Sequence, residues 1–455
     1  MNKNYLRNES AIYRKMNDLL IKKDYEGLQN AISVYNPVDI RDYIEELDLT
    51  EAILVFRLLK KEDAVEVFSK MEKDVKYRFL KGMTDSEIKY IIDELYFDDR
   101  VDLMEEMPAG IVKNILRNTN EEERNLMNKF LKYPKDSAGS LMTIEYVELK
   151  EFMTTEEALE IIKETGDDKV TVYTCYVTNE TKKLLGFVTL RRIITAPSKT
   201  KISELMDEDV ISVHTLDDQE IVANVFNKYG FVVMPVVDSE GRMTGVITVD
   251  DILEVMEQEA TEDFQRMAAM IPQEEEYLDT SPFKLAKSRV AWLLILMITA
   301  TFTGQIMNHY NTLIQSMIVL NMFIPMIMDA GGNSGSQSST LIIRGLATGE
   351  IHTRDFFKVI FKEFKVSTLV GFIIALVNFT KVLLFDRVPM DIALLISVTL
   401  MFTITAAKVI GGILPIAAKK LKMDPAIMAG PLITTVVDTL SLIIYFELAS
   451  HFIRI

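Results

Sequence analysis

Two stretches in the apolar C-terminal part of this 455-residue chain hold the side chains with chemical potential. The first runs Ile324-Pro325-Met326-Ile327-Met328-Asp329-Ala330-Gly331-Gly332-Asn333-Ser334-Gly335-Ser336-Gln337. The second runs from Asp424-Pro425-Ala426 through Gly430-Pro431 and Thr434-Thr435 to Asp438, with Thr434 one helical turn before the carboxylate. A central Asp costs about 2.5 to 3.5 kcal/mol in a bilayer helix. Charges and helix breakers at membrane depth are tolerated where protein buries them or where they line a water-filled path. Donors that are all oxygen suit hard cations such as Mg2+. The single cysteine, Cys175, and four scattered histidines argue against a cysteine cluster, zinc or copper. The alternative is plain packing, since Gly, Ser and Thr let membrane helices approach closely.

The elements that carry these stretches differ sharply in charge. Net charge is −17 overall, and counting from Lys284 onward gives +6, which leaves −23 in the first 283 residues. Such a field repels nucleic acid and anionic headgroups but draws divalent cations. Its acids include Asp98, Asp99 and Asp102, read either as ligands or as a solvated face. From Asp250 to Met270 one long helix is expected, with Ile252, Val255, Met256, Phe264 and Met267 as an apolar stripe and Glu254, Glu257, Glu259, Glu262 and Asp263 around it. Pro272 and Gln273-Glu274-Glu275-Glu276 end it. Cations screening such a surface would make the helix an ion-controlled lever; a solvated connector is the plainer alternative.

Residues 1 to about 130 have helical periodicity and repeat every 24 residues: Ile40, Ala64, Ile88 and Val112 correspond, as do Val55, Phe79 and Leu103. Two short helices per repeat predict a small solenoid. Past Tyr133-Pro134 the pattern changes to strands alternating with helices, and Leu185-Gly186-Phe187-Val188-Thr189 recurs 59 residues later as Thr244-Gly245-Val246-Ile247-Thr248. These halves resemble a pair of CBS modules. In that family the pair often binds adenine nucleotides, with a Thr/Ser-x-x-Asp position on the ribose. Thr248-Val249-Asp250-Asp251 keeps that position, whereas Thr189-Leu190-Arg191-Arg192 has arginine where Asp is usual. The nucleotide expectation, ATP, falls on Thr248, Asp250 and Arg191.

Apolar segments near 288–308, 311–331, 366–386, 389–415 and 428–450 predict five spans. Lys284, Lys287 and Arg289, the basic residues Arg344 to Lys365, and Lys419, Lys420 and Lys422 fall on one side; Lys381, Arg387 and Arg454 fall on the other. The positive-inside rule then places the N-terminus in the cytoplasm and the C-terminus outside. The first nine residues have no apolar leader. Lys408 sits inside the fourth span, where it either snorkels to the interface or counters an acid such as Asp329.

Taken together, the chain resembles the MgtE family of bacterial magnesium transporters, which are channel-like, from end to end. Pro325, Gly331, Gly332, Asn333, Gly335 and Gln337 match its first membrane motif; Asp424-Pro425-Ala426, Gly430-Pro431, Thr434-Thr435 and Asp438 match its last. The resemblance implies a helical repeat domain over 1–132, a CBS pair over 133–256, an acidic connecting helix and linker over 257–283, and a five-span pore domain over 284–455. It implies a homodimer in the plasma membrane, in contact with lipid and not with nucleic acid, importing Mg2+. Asp438 would face the hydrated ion, with Asp329, Gly331, Gly332, the Asn333 loop, Thr434 and Thr435 shaping the site. It further implies closure by cytosolic Mg2+ held at Asp98, Asp102, Asp218, Glu220, Asp251, Glu254, Glu259, Glu262, Asp263 and Asp424. Gly230 stands where an acid is frequent, and Ser441 where a glycine is common. The rivals are a secondary transporter of manganese, cobalt or nickel, and a membrane-anchored nucleotide receptor. No nucleophile elbow, P-loop or catalytic histidine arrangement suggests an enzyme.

Overall fold

The computed structural model describes residues 13–273, 277–278 and 280–453. Three expectations fall outside them: the leader-free first residues, the terminating acids Glu274 to Glu276 and the outer charge at Arg454. The chain divides into two compact units that meet at Val255/Met256.

In the first unit, nine short helices follow one another from Tyr25–Ile32 to Glu121–Phe130. Their N-cap residues are Asp24, Asn36, Asp48, Lys60, Glu72, Thr84, Tyr96, Pro108 and Asn120, one every 12 residues. The 24-residue repeat is therefore a pair of these steps. Asp24, Asn36, Asp48, Thr84 and Asn120 cap through their side chains, satisfying amides that a first helical turn leaves open. Helices of 8 to 10 residues are marginal alone, so packing must hold them. Pro37–Glu45 packs on Lys61–Ser69, that on Asp85–Glu94, and that on Ala109–Asn118, each one repeat on from the last. The repeat-bearing Ile40, Ile88, Val55, Phe79 and Leu103 are buried in the shared core.

The rest of this unit holds two sheets of the same build. Strands β1 (Tyr146–Lys150), β2 (Thr171–Thr178) and β3 (Leu184–Thr189) form one; β4 (Val213–His214), β5 (Val233–Val237) and β6 (Met243–Thr248) form the other. In each, the first pair is parallel and the second antiparallel. The glycines at the third position of β3 and β6 have a steric cause: a Cβ at Gly186 would lie 2.6 Å from the Asp207 carbonyl oxygen, and one at Gly245 2.6 Å from that of Thr143. Phe97, Val101, Met127 and Phe130 of the helical repeats share one core with Met234, Val236 and Ile247.

The connecting helix runs Val249–Met267, ending three residues short of the expected Met270, where Ala269 takes a positive φ of 55°. The second unit has five long helices: α1 (Pro282–His309), α2 (Ile324–Ala347), α3 (Phe356–Leu384), α4 (Met390–Lys420) and α5 (Gly430–Ile453). Among the described residues four segments are long and apolar enough to cross a membrane: Pro282–His309, Thr353–Leu384, Met390–Lys420 and Pro425–Phe452. The expected second span, 311–331, is displaced. Its first part forms two short helices, Asn311–Ser316 and Ile318–Asn321, and α2 starts afterwards with Pro325 in its first turn, where proline's fixed φ and missing N–H are no handicap. Helix α2 packs against α4 and α5, α3 against α4, and α1 against α5.

Candidate functional site

The Gly-rich stretch is helix, not loop. All of Asp329 to Gln337 lies within α2, so the expected Asn333 loop is absent. Four-residue spacing puts Asp329, Asn333 and Gln337 on one exposed face, while Gly331, Gly332, Ser334 and Gly335 are buried on the other. A Cβ at Gly331 would come within 2.6 Å of the Ser441 Oγ and 2.9 Å of Val437 Cγ1; one at Gly335 would lie 3.1 Å from Val437 Cγ2. These two glycines let α5 close on α2. A Cβ at Gly332 would lie 3.1 Å from Thr434 Cγ2 and 3.7 Å from Asp438 Oδ1, so the last-span carboxylate lies close to this part of α2. The hydroxyls of Thr434 and Thr435 donate to the Pro431 carbonyl at 2.9 and 2.8 Å. Ser441 donates to the Val437 carbonyl at 2.6 Å and is buried at this contact.

Lys408 neither snorkels nor pairs with Asp329. It is 6 % exposed, and its Nζ donates to Gln337 Oε1 at 3.2 Å. The adjacent Ser338 donates to Glu363 Oε2 at 2.6 Å, and Glu363 on α3 is 9 % exposed. Nothing in the sequence marked Glu363: it lies among Lys358, Lys362 and Lys365, which read as a cytoplasmic connection.

A second carboxylate group lies in the first unit. Asp98, Asp99 and Asp102 on helix Phe97–Glu106 stand near Asp250 and Asp251 at the start of the connecting helix. Glu145 accepts from the Phe97 amide at 2.9 Å and pairs with Arg100 at 3.2 Å, which fixes the helix start. Burial, then the charges of Asp251 and Asp99, hold the Asp98 carboxyl well above the usual carboxylate range. Asp102, on the solvent edge, is pushed up to about 7, first by the protein packed around it and then by Asp99. Asp251 is pushed up to about 6 by burial, against a 2.5 Å hydrogen bond from Thr248. Among the described residues no lysine or arginine forms an ion pair with these five acids, and Asp98 Oδ1 is buried without a hydrogen-bond partner.

The third group gathers in the second unit. Arg266 pairs with Glu262 one turn earlier and with Asp424. Asp424 also accepts from the Ala426 amide at 2.8 Å, starting the turn Pro425–Met428. Asp263 is held above its ordinary range by burial and then by Asp424. Met267 packs on Ile343, Ala426 and Ala429, and Gly430 (φ 38°) lies so close that a Cβ there would be 2.7 Å from the Met267 carbonyl oxygen. Among the described residues no three His, Cys, Asp or Glu side chains make a ready metal cage. Mg2+ does not need one, because it keeps several waters and uses one or two carboxylates.

Comparison with known proteins agrees along the whole chain. The divalent cation transporter family MgtE matches residues 324–448, the MgtE intracellular N domain residues 35–136, and the CBS domain residues 138–199 and 202–258. The magnesium transporter MgtE of Thermus thermophilus is 34 % identical over 447 residues, covering 97 % of this chain and 98 % of its own. The chain belongs to the MgtE family. The Bacillus subtilis magnesium transporter MgtE is 30 % identical, over 94 % of each chain. Two solved structures align with the soluble part. One is the soluble part of a magnesium transporter (27 % identity, TM-score 0.52, 55 % of this chain and 99 % of that one). The other is the cytosolic domain of the Mg2+ channel MgtE in complex with ATP (33 %, 0.51, 53 % and 99 %).

An MgtE chain with four such apolar helices is a multi-pass membrane protein. Within it the remaining expected positions are scattered. Asp218 caps helix Gln219–Tyr229 by accepting from the Glu220 amide at 2.9 Å, and both side chains are exposed. Glu254 is exposed and Glu259 half-buried on the connecting helix. Gly230, the departure from the family's acid, ends helix Gln219–Tyr229 in the left-handed region (φ 67°), a conformation that favours glycine. At the expected nucleotide position Thr248 donates to Asp251, with Asp250 and Arg191 exposed.

Proposed function

We propose that the chain is a homodimeric magnesium channel of the plasma membrane, N-terminus inside, in which α2 is a fifth span and Mg2+ moves along its polar face. One observation carries this reading: Asp329, Asn333 and Gln337 form an exposed polar stripe on a helix packed among apolar ones. Lipid cannot face such a stripe, so water or a second copy must. Asp438, across from Gly332, adds the carboxylate. A hydrated Mg2+ recognised through its waters avoids the cost of stripping them.

Closure by cytosolic Mg2+ belongs to the same proposal. Asp98, Asp102 and Asp251 would hold one ion: crowded carboxylates, with one buried and orphaned oxygen on Asp98, fit a divalent cation. Glu262, Asp263 and Asp424 would hold another; the acids Asp218, Glu220, Glu254 and Glu259 each raise the cation concentration around the unit that carries them. ATP is the nucleotide we assign to the CBS pair, at Thr248, Asp250 and Arg191, since the Thr248 hydroxyl and the exposed Asp250 carboxylate suit ribose hydroxyls and the exposed Arg191 suits phosphate.

Flux of Mg2+ into liposomes holding the full chain tests the pore. Asp438→Ala should abolish Mg2+ selectivity and cut flux by at least tenfold. Unchanged flux in that variant would move the ion path away from α5.

A further inference from the structure

Lys408 is the intramembrane charge that the proposed ion path does not yet use. Its place is defined by three helices. On α4, Gly411 would meet the Gly335 carbonyl oxygen of α2 at 2.4 Å and Ser338 Cβ at 3.2 Å, and Gly412 would meet Glu363 Cγ of α3 at 3.2 Å, were either to carry a Cβ. The helices therefore touch, and Lys408 is one turn from Gly412 on the same face of α4. Its Nζ reaches Gln337 Oε1, while the Glu363 carboxylate is taken by Ser338. Among the described residues no ion pair joins Lys408 to a carboxylate. Adjacent residues of α2, Gln337 and Ser338, thus receive one buried positive and one buried negative charge.

The two charges differ in what they touch. Ser338 is buried, so Glu363 is turned into the protein. Gln337 belongs to the exposed stripe with Asp329 and Asn333, so the ammonium stands one amide group behind that stripe. Gln337 is five residues beyond Gly332, the residue facing Asp438, and so lies about 7.5 Å further along α2 toward its C-terminus.

We propose that Lys408 sets the rate at which Mg2+ leaves the Asp438 site toward the C-terminal end of α2. A fixed positive charge there opposes cation occupancy, and it acts on a divalent ion with twice the energy it has for a monovalent one. Conduction needs binding strong enough to enter and weak enough to leave. Asp438 supplies the first condition and Lys408 the second. The inference rests on the pore reading above.

The test is Mg2+ flux through the full chain in liposomes, over a range of Mg2+ concentrations, for Lys408→Met, Lys408→Arg and Gln337→Glu, with Asp438→Ala as control. Lys408→Met should lower the half-saturating Mg2+ concentration roughly three- to tenfold and reduce maximal flux, with a smaller effect on any monovalent current. Lys408→Arg should keep wild-type values. Gln337→Glu separates charge from tethering: it retains an acceptor for Lys408 but cancels its charge, so it should follow Lys408→Met. If Gln337→Glu behaves as wild type, Lys408 is only a tie between α2 and α4, and the proposal is overturned. Should Lys408→Met fail to fold, Gln337→Glu and Lys408→Arg still decide. An Asp438→Ala control with intact flux would instead remove the pore reading itself.

Discussion

The two carboxylate groups outside the membrane helices solve the same electrostatic problem differently. Asp98, Asp99, Asp102, Asp250 and Asp251 crowd together with Arg100 turned away to Glu145, and no lysine or arginine among the described residues is paired to them. Glu262, Asp263 and Asp424 have Arg266 among them, paired to two of the three. The first group is left with repulsion that Lys70 and Lys76 offset only in part, and that protons or outside cations would relieve further. The second carries part of its own counter-charge. An ion should therefore change the first group most.

The sharpest way to break this contrast is to remove carboxylates from the first group. Asp98→Asn with Asp251→Asn should raise the Mg2+ concentration for half-maximal thermal stabilisation of the full chain by roughly tenfold or more. A divalent ion loses two contacts, each of about 4 kcal/mol per unit charge at 4 Å and an effective dielectric of 20, before solvation is subtracted. The same variant should be more stable than wild type without Mg2+, because repulsion has gone. A Mg2+ response unchanged by the double substitution would mean that this group holds no ion.

Acidity gives a smaller effect of definite sign. Asp102 sits at about 7 and Asp251 at about 6, both raised, with Lys70 and Lys76 nearby only partly offsetting the crowding at Asp99. Carboxylates in an unfolded chain titrate near 4. The folded protein therefore holds protons between about pH 4 and 7 that the unfolded chain releases, and this contribution to stability is lost as pH rises through 6 to 7. Without Mg2+, melting temperature should fall by on the order of 2–4 °C from pH 6 to pH 8. Saturating Mg2+ should stabilise more at pH 8 than at pH 6. The contrast would be blunted if Arg266→Ala, which exposes the second group, changed neither value.

Much of this was legible in the sequence, and the failures have physical causes. The 24-residue period of Ile40, Ala64 and Ile88 was readable because each repeat buries the same position. The 12-residue rhythm beneath it was hidden, since Lys60, Glu72, Tyr96 and Pro108 cap no amide with a side chain and leave no start signal. Strand β4 was missed because it is only two residues long, and β1 because Glu148 and Lys150 weaken its strand signal. The glycines of α2 suggested a broken helix by propensity, yet Gly331 and Gly335 are needed for contact with α5, and packing overrides propensity. Periodicity placed Asp329, Asn333 and Gln337 on one face but could not show that Lys408 approaches it, because that depends on how α4 packs.

The finest test concerns Arg266 itself. Its side chain is 35 % exposed, so its pairs with Glu262 and Asp424 each contribute about 0.2–1 kcal/mol, less at high salt. If Arg266 stands in for part of an ion's charge, it holds the connecting helix to the turn at Asp424 whatever the Mg2+ level. Arg266→Ala should then raise the internal Mg2+ needed to halve flux by roughly two- to fivefold, and Arg266→Lys should recover most of that difference. The opposite sign is equally informative. Were Arg266 a competitor that keeps Mg2+ away from Asp424, Arg266→Ala would lower the required concentration, and the second group would rank with the first as one that takes its cations from solution.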